Sequence, residues 1–218
     1  MRVAIAGGHG KIALMLTRRL SERGDDVVSL IRNSDHAADV RQAGAEPVLC
    51  DLESASEEAV AEAIASADAV VFAAGAGPGS GAERKWTVDY GGAVKLIAAA
   101  RAQDVPRYVM VSSIGADPSR EGEDTFSVYL RAKGQADEEL QNSGLDSTIV
   151  RPTSLTDDPG TGHVRLAEQV GDGSISREDV AAVLAAVLDQ PGAAGRTFEV
   201  ASGDVAIEQA VASIAQPG

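Results

Sequence analysis

Apolar positions along this chain follow two alternating rhythms. Short runs of strand length recur at Val3–Ala6, Val27–Ile31, Pro47–Cys50, Ala69–Ala74, Arg107–Val111 and Ser147–Val150. Between them the apolar residues recur at helical spacing. Lys11–Arg23 sets Ile12, Leu16 and Leu20 on one stripe, and Gly24 follows where a helix end favours a residue free to take positive φ. Ala37–Ala43 predicts a short helix stopped by Gly44, and Ser56–Ala65 a helix with Ser56 as N-cap. Glu83–Gln103 predicts one long helix, with Val94, Ile97 and Ala98 on a stripe. Phe126–Gln141, Glu178–Leu188 and Ile207–Ile214 complete the helical set, and Ser176 caps the second of these, three residues before Asp179. Thr197–Val200 is a last strand. A repeated β-α unit predicts an α/β fold with a doubly wound parallel sheet and right-handed crossovers. No linker rich in Pro, Gly or Ser divides the chain, so residues 1–218 are expected to form a single domain.

Charge narrows the partners. The formal net charge is −14, which repels nucleic acid and anionic membranes, so neither is an expected partner. Apolar stretches such as Ala181–Leu188 are too short to span a bilayer. Arg2 is followed within five residues by Gly7-Gly8, which does not read as a secretory leader. These features imply a soluble, cytoplasmic chain acting on a small molecule, as a monomer or as a homodimer paired through its longer helices. Cys50 stands alone and reads as a buried small apolar residue. His36 and His163 have no partners at ligand spacing, so no metal is assigned. The acids of Glu53–Glu62 and Asp137–Glu139 read as solvated helix faces.

The sharpest local feature is Ala6-Gly7-Gly8-His9-Gly10-Lys11-Ile12-Ala13, between the first strand and the first helix. Small residues recur at Gly7, Gly10 and Ala13. Such a turn lets bare backbone approach a pyrophosphate while the helix N-terminus offers unpaired N–H groups and a positive dipole end. In this context the pattern predicts a dinucleotide-binding Rossmann fold, with strand order 3-2-1-4-5-6 and Thr197–Val200 as a candidate seventh. His9 lies either at the phosphates or in solvent. The second strand ends in Arg32-Asn33 with no acid until Asp35. An arginine there suits a 2′-phosphate, so NADP is expected and NAD is less favoured. Asp51 and Leu52, past the third strand, are placed to meet the adenine. Ala73 and Ala74, at the end of the fourth strand, are also expected at the coenzyme, and Gly75, just past it, lets the coenzyme pass close to the backbone.

Val111-Ser112-Ser113 ends the fifth strand, and Tyr129 and Lys133 follow at i and i+4 on one helix face. With the glycine loop, Asp51-Leu52 and Arg151-Pro152, these residues resemble the short-chain dehydrogenase/reductase superfamily over nearly the whole chain. The shortness and the GxxGxxA loop look like its atypical, epimerase- or dehydratase-like NAD(P)-binding branch. The resemblance implies that Tyr129 exchanges the proton, Lys133 lowers its pKa and holds the nicotinamide ribose, and Ser113 orients the substrate oxygen. Ser112 and Ser113 alternatively satisfy strand-end backbone groups. Pro152, Thr153 and Ser154 would border the nicotinamide, and Val111 is a further expected coenzyme contact. Asp89 stands where the superfamily usually carries asparagine; it either pairs with Lys133 or accepts the hydrogen bond of a proton relay. Substrate-facing segments are expected at about 114–128 and 153–176, formed by the loops Ile114–Ser127 and Leu155–Gly173. They are short, which favours a small or flat substrate. The implied activity is an NADP-dependent oxidoreductase, or an epimerase using transient oxidation, acting on a carbonyl or hydroxyl. The alternative is an NADP(H)-binding sensor without turnover.

Overall fold

A computed structural model describes residues 1–77 and 79–215. The first half runs β1 (Arg2–Ala6), α1 (Lys11–Glu22), β2 (Asp26–Ile31), α2 (Ala37–Ala43), β3 (Glu46–Leu49), α3 (Glu57–Ala63) and β4 (Ala69–Phe72). Then come α4 (Ala82–Arg84), a π-helical segment (Lys85–Tyr90), α5 (Gly91–Ala102), β5 (Arg107–Val111), α6 (Thr125–Gln141) and β6 (Asp146–Pro152). The last part holds β7 (Ser154–Thr156), β8 (His163–Ala167), β9 (Ser174–Ser176), α7 (Arg177–Leu188), β10 (Arg196–Ser202), β11 (Val205–Ala206) and α8 (Ile207–Ile214).

The main sheet has the order β11-β8-β10-β6-β5-β4-β1-β2-β3. Strands β3 to β6 pair in parallel in the expected doubly wound order, and β10 adds in parallel as the seventh. Period-two alternation splits each strand between two cores. Val3 and Ile5 face α1 and α7, against Leu16, Leu20, Val180 and Leu184. Ala4 and Ala6 face α3, α5 and α6, against Val60, Leu96, Ala100 and Leu140. This burial anchors the strand ends from which the loops of the site emerge. Ser176 caps α7 as expected, its hydroxyl accepting from Asp179 N at 2.9 Å. Among the described residues no helix is long and apolar enough to cross a membrane.

Two expectations are corrected. The single helix over Glu83–Gln103 is broken into α4, a π-helical segment and α5. The wider turn buries Lys85, Val88 and Asp89 together, and π turns of this kind gather at functional sites. The segment 153–176 contains β7, β8 and β9 as well as loop. β8 pairs antiparallel with β10, and β7 pairs with β9 in a separate two-stranded sheet. The alternation His163-Val164-Arg165-Leu166 carried that strand signal.

Candidate functional site

The β1–α1 turn is dictated by glycine. Gly7 takes φ +80°, and a Cβ on it would fall 2.6 Å from Ala74 Cα. Gly10 is the N-cap of α1 and supplies no side-chain cap, so the first-turn N–H groups are not covered by their own cap residue. Gly8 is buried and turned away: its Cβ would meet Ser29 Cβ at 2.5 Å, and its N–H donates to Leu30 O. A cleft of about 290 Å³ opens over this turn. Of the expected residues, Gly7, His9, Gly10, Arg32, Asp51, Leu52, Ala73, Ala74 and Gly75 line it. Arg32 forms no ion pair within 4 Å among the described residues. An uncapped helix start, bare turn backbone and a cation outside any close ion pair suit an anionic dinucleotide.

Other expected coenzyme residues stand elsewhere. Lys11 is exposed, and its ammonium reaches Asp157 at 2.6 Å. Asn33 caps a short turn by accepting from Asp35 N. Ile12 is half-buried and packs against the core beside α1. Val111 offers its carbonyl to Lys133 Nζ at 3.1 Å. Pro152 is buried, with its carbonyl accepting from Ile114 N, and the Thr153 hydroxyl donates to Val200 O at 3.2 Å.

Periodicity missed His36, Cys50, Glu53, Arg84 and Val88, which also line the cleft. The His9 and His36 rings stack at 3.6 Å, and His9 Nε2 meets Asp39 Oδ2 at 2.8 Å. Glu53 is not a solvated acid as expected. It binds Arg84 and the Thr87 hydroxyl, and the Arg84 bond holds its carboxyl below the usual range. Burial pushes the Cys50 thiol up, which disfavours a reactive thiolate.

Beyond the cleft, β5 and α6 bring Ser113, Tyr129 and Lys133 to the same end of the sheet, and the π-helical segment adds Asp89. Lys133 and Asp89 are 3% and 1% exposed, with Nζ 3.4 Å from Oδ1. Asp89 also accepts from Ala76 N. Of the two sequence alternatives for Asp89, the geometry shows pairing. Burial disfavours the Lys133 ammonium, but Asp89, with Tyr129 and Asp137, outweighs it and raises its pKa. Tyr129 is half-buried, stacked against Phe126 with ring centres 6.2 Å apart. Ser113 Oγ donates only to its neighbour Ile114 O.

Asp137 corrects another expectation. It is buried, one turn beyond Lys133, and accepts from Ser112 Oγ at 2.8 Å and Arg151 Nε at 2.9 Å. Burial pushes its carboxyl up against the pull of Arg151 and Ser112. Ser112 is thus committed to this internal network. The signal for Asp137 was its place at i+8 from Tyr129, on the buried stripe of α6.

A sequence profile of the NAD(P)H-binding family matches residues 7–191. An uncharacterized sugar epimerase, YhfK, of Bacillus subtilis is 36% identical over 212 residues, 97% of this chain and 99% of its own. A Bacillus halodurans structure assigned as an NAD-dependent epimerase/dehydratase superposes with TM-score 0.91 at 40% identity, covering 98% of this chain and 99% of that one. The oxidoreductase ylbE from Lactococcus lactis superposes at 0.86 with 27% identity, over 98% and 96%. With its doubly wound sheet, glycine turn and Tyr-x-x-x-Lys helix, the chain belongs to the NAD(P)H-binding family, in the atypical, epimerase/dehydratase-like branch of the short-chain dehydrogenases/reductases.

Proposed function

We propose that this protein is an NADP-dependent oxidoreductase that reduces a carbonyl on a small molecule. The observation that carries this reading is Tyr129 one turn from a buried lysine on α6, whose partner Asp89 accepts from Ala76 N next to the cleft residue Gly75. The Gly7–Gly10 backbone and the start of α1 would hold the pyrophosphate, Arg32 the 2′-phosphate, and Asp51 with Leu52 the adenosine side. NADPH, when bound, supplies the hydride. Ser113 Oγ then donates a hydrogen bond to the substrate oxygen, and the Tyr129 hydroxyl gives that oxygen its proton. The Lys133 ammonium, fixed by Val111 O and Asp89, stabilises the phenolate left behind.

The test is NADPH oxidation across a panel of carbonyls, quinones and flavins. A second reading is favoured by the Asp89–Lys133 pair, which withdraws part of the lysine's charge from Tyr129. On that reading the protein binds NADPH and senses it without turnover. NADPH binding with no oxidation across the panel supports the sensor; saturable oxidation of any member supports the enzyme.

Coenzyme choice has its own test. Arg32→Ala removes a charge-assisted contact to the 2′-phosphate, so NADPH affinity should fall about 10- to 100-fold while NADH affinity hardly changes. Fluorescence titration of both coenzymes checks this, and equal losses would refute the assignment.

A further inference from the structure

Lys85 has no part in the mechanism above, yet it is the second buried lysine beside Tyr129. It lies on the first turn of the π-helical segment and is only 8% exposed. Its Nζ sits 5.3 Å from the centre of the Tyr129 ring and donates to Gly77 O at 3.0 Å. No carboxylate lies within 4 Å of it among the described residues. Its neighbours are already committed: Arg84 to Glu53, and Asp89 to Lys133. In a chain of net charge −14, a buried ammonium without an anion is an unusual expense of solvation. One carbonyl and one ring face do not compensate it fully. Tyr129 also stacks with Phe126, which is 61% exposed and forms an apolar wall open to solvent.

From this arrangement we infer that the substrate is an oxo acid, whose carboxylate pairs with Lys85 while its carbonyl meets Tyr129. This rests on the proposed reductase reading and specifies its substrate class. Lysine acts as a point charge with one proton already spent on Gly77 O, which suits a carboxylate better than a phosphate dianion. Phe126 would flank the carbon skeleton. Lys85 touches the carboxylate and not the reacting atoms, so its role is specificity.

The experiment titrates the protein–NADP⁺ complex by calorimetry with benzoylformate and with its methyl ester, then repeats both on Lys85→Gln and Lys85→Met. NADP⁺ binding is measured first on each protein. If the wild-type chain does not bind the coenzyme, the reductase reading fails. If it does, the acid should bind about 10- to 100-fold more tightly than the ester, as for a charge-assisted hydrogen bond. Glutamine can still donate to Gly77 O but carries no charge, so Lys85→Gln should abolish the preference for the acid. A structural latch would instead leave the preference intact in Lys85→Gln, and that overturns the proposal. Equal binding of acid and ester to wild type, or binding of neither once NADP⁺ is bound, also overturns it. So does dihydroxyacetone phosphate binding in preference to benzoylformate. The wild-type comparison stands alone if neither variant folds.

Discussion

Tyr129→Phe is expected to lower kcat about 10²- to 10⁴-fold while leaving NADPH affinity close to wild type, the range for removing a general acid. The change deletes one hydroxyl. The ring is half-buried against Phe126, and phenylalanine keeps that stack and the apolar face beneath Lys85. Thermal stability should therefore move little, and a loss of turnover can be assigned to chemistry. Single-turnover oxidation of NADPH with a carbonyl found active in the panel separates the step from binding. If the variant keeps more than about a tenth of the wild-type rate, the proton comes from elsewhere. Ser113 is then the first group to examine, because its hydroxyl has only the Ile114 carbonyl as partner.

The same surroundings explain what could be read from the chain. Sheet order followed from the β-α rhythm because buried parallel strands are continuous apolar runs, and the glycine turn followed from a backbone that excludes a Cβ at Gly7. Tyr129 and Lys133 were visible because i and i+4 share a helix face. What stayed hidden depends on three-dimensional contact. Asp137 looks like its exposed neighbour Glu138 in composition, and although its place at i+8 from Tyr129 sets it on the buried stripe, only the meeting of α6 with Arg151 and Ser112 shows its partners. The break at Lys85–Tyr90 went unread because the stripe that predicted the helix, Val94, Ile97 and Ala98, lies wholly beyond it in α5. Arg84 and Glu53 reach the cleft through a pairing 31 residues apart, beyond any local pattern.

Breaking the buried pair at the centre of this network should have the largest effect on stability. Asp89→Leu leaves the Lys133 ammonium with the Val111 carbonyl, and Lys133→Met leaves the Asp89 carboxylate with the Ala76 amide. Each single change should cost about 3–5 kcal/mol, since it strands a charge away from water. For a chain of this length that lowers Tm by roughly 6–20 °C. The double variant Asp89→Leu/Lys133→Met should cost less than the two singles added, because no unpaired charge remains. Alkaline titration of wild type gives an independent sign. The folded lysine has its pKa raised above the ordinary 10.5, so its contribution is complete below the unfolded value and is lost as pH rises through the folded one. Stability of wild type should therefore fall above about pH 10.5, while the double variant lacks that step. Strict additivity of the three variants would mean that the two charges do not interact across their 3.4 Å separation. Asp89 would then serve only to hold the chain after β4, where Ala76 N donates to it and a Cβ on Gly75 would fall 3.2 Å from its Oδ1. In that case Lys133 would exert its full charge on Tyr129, and the sensor reading would lose the observation that favours it.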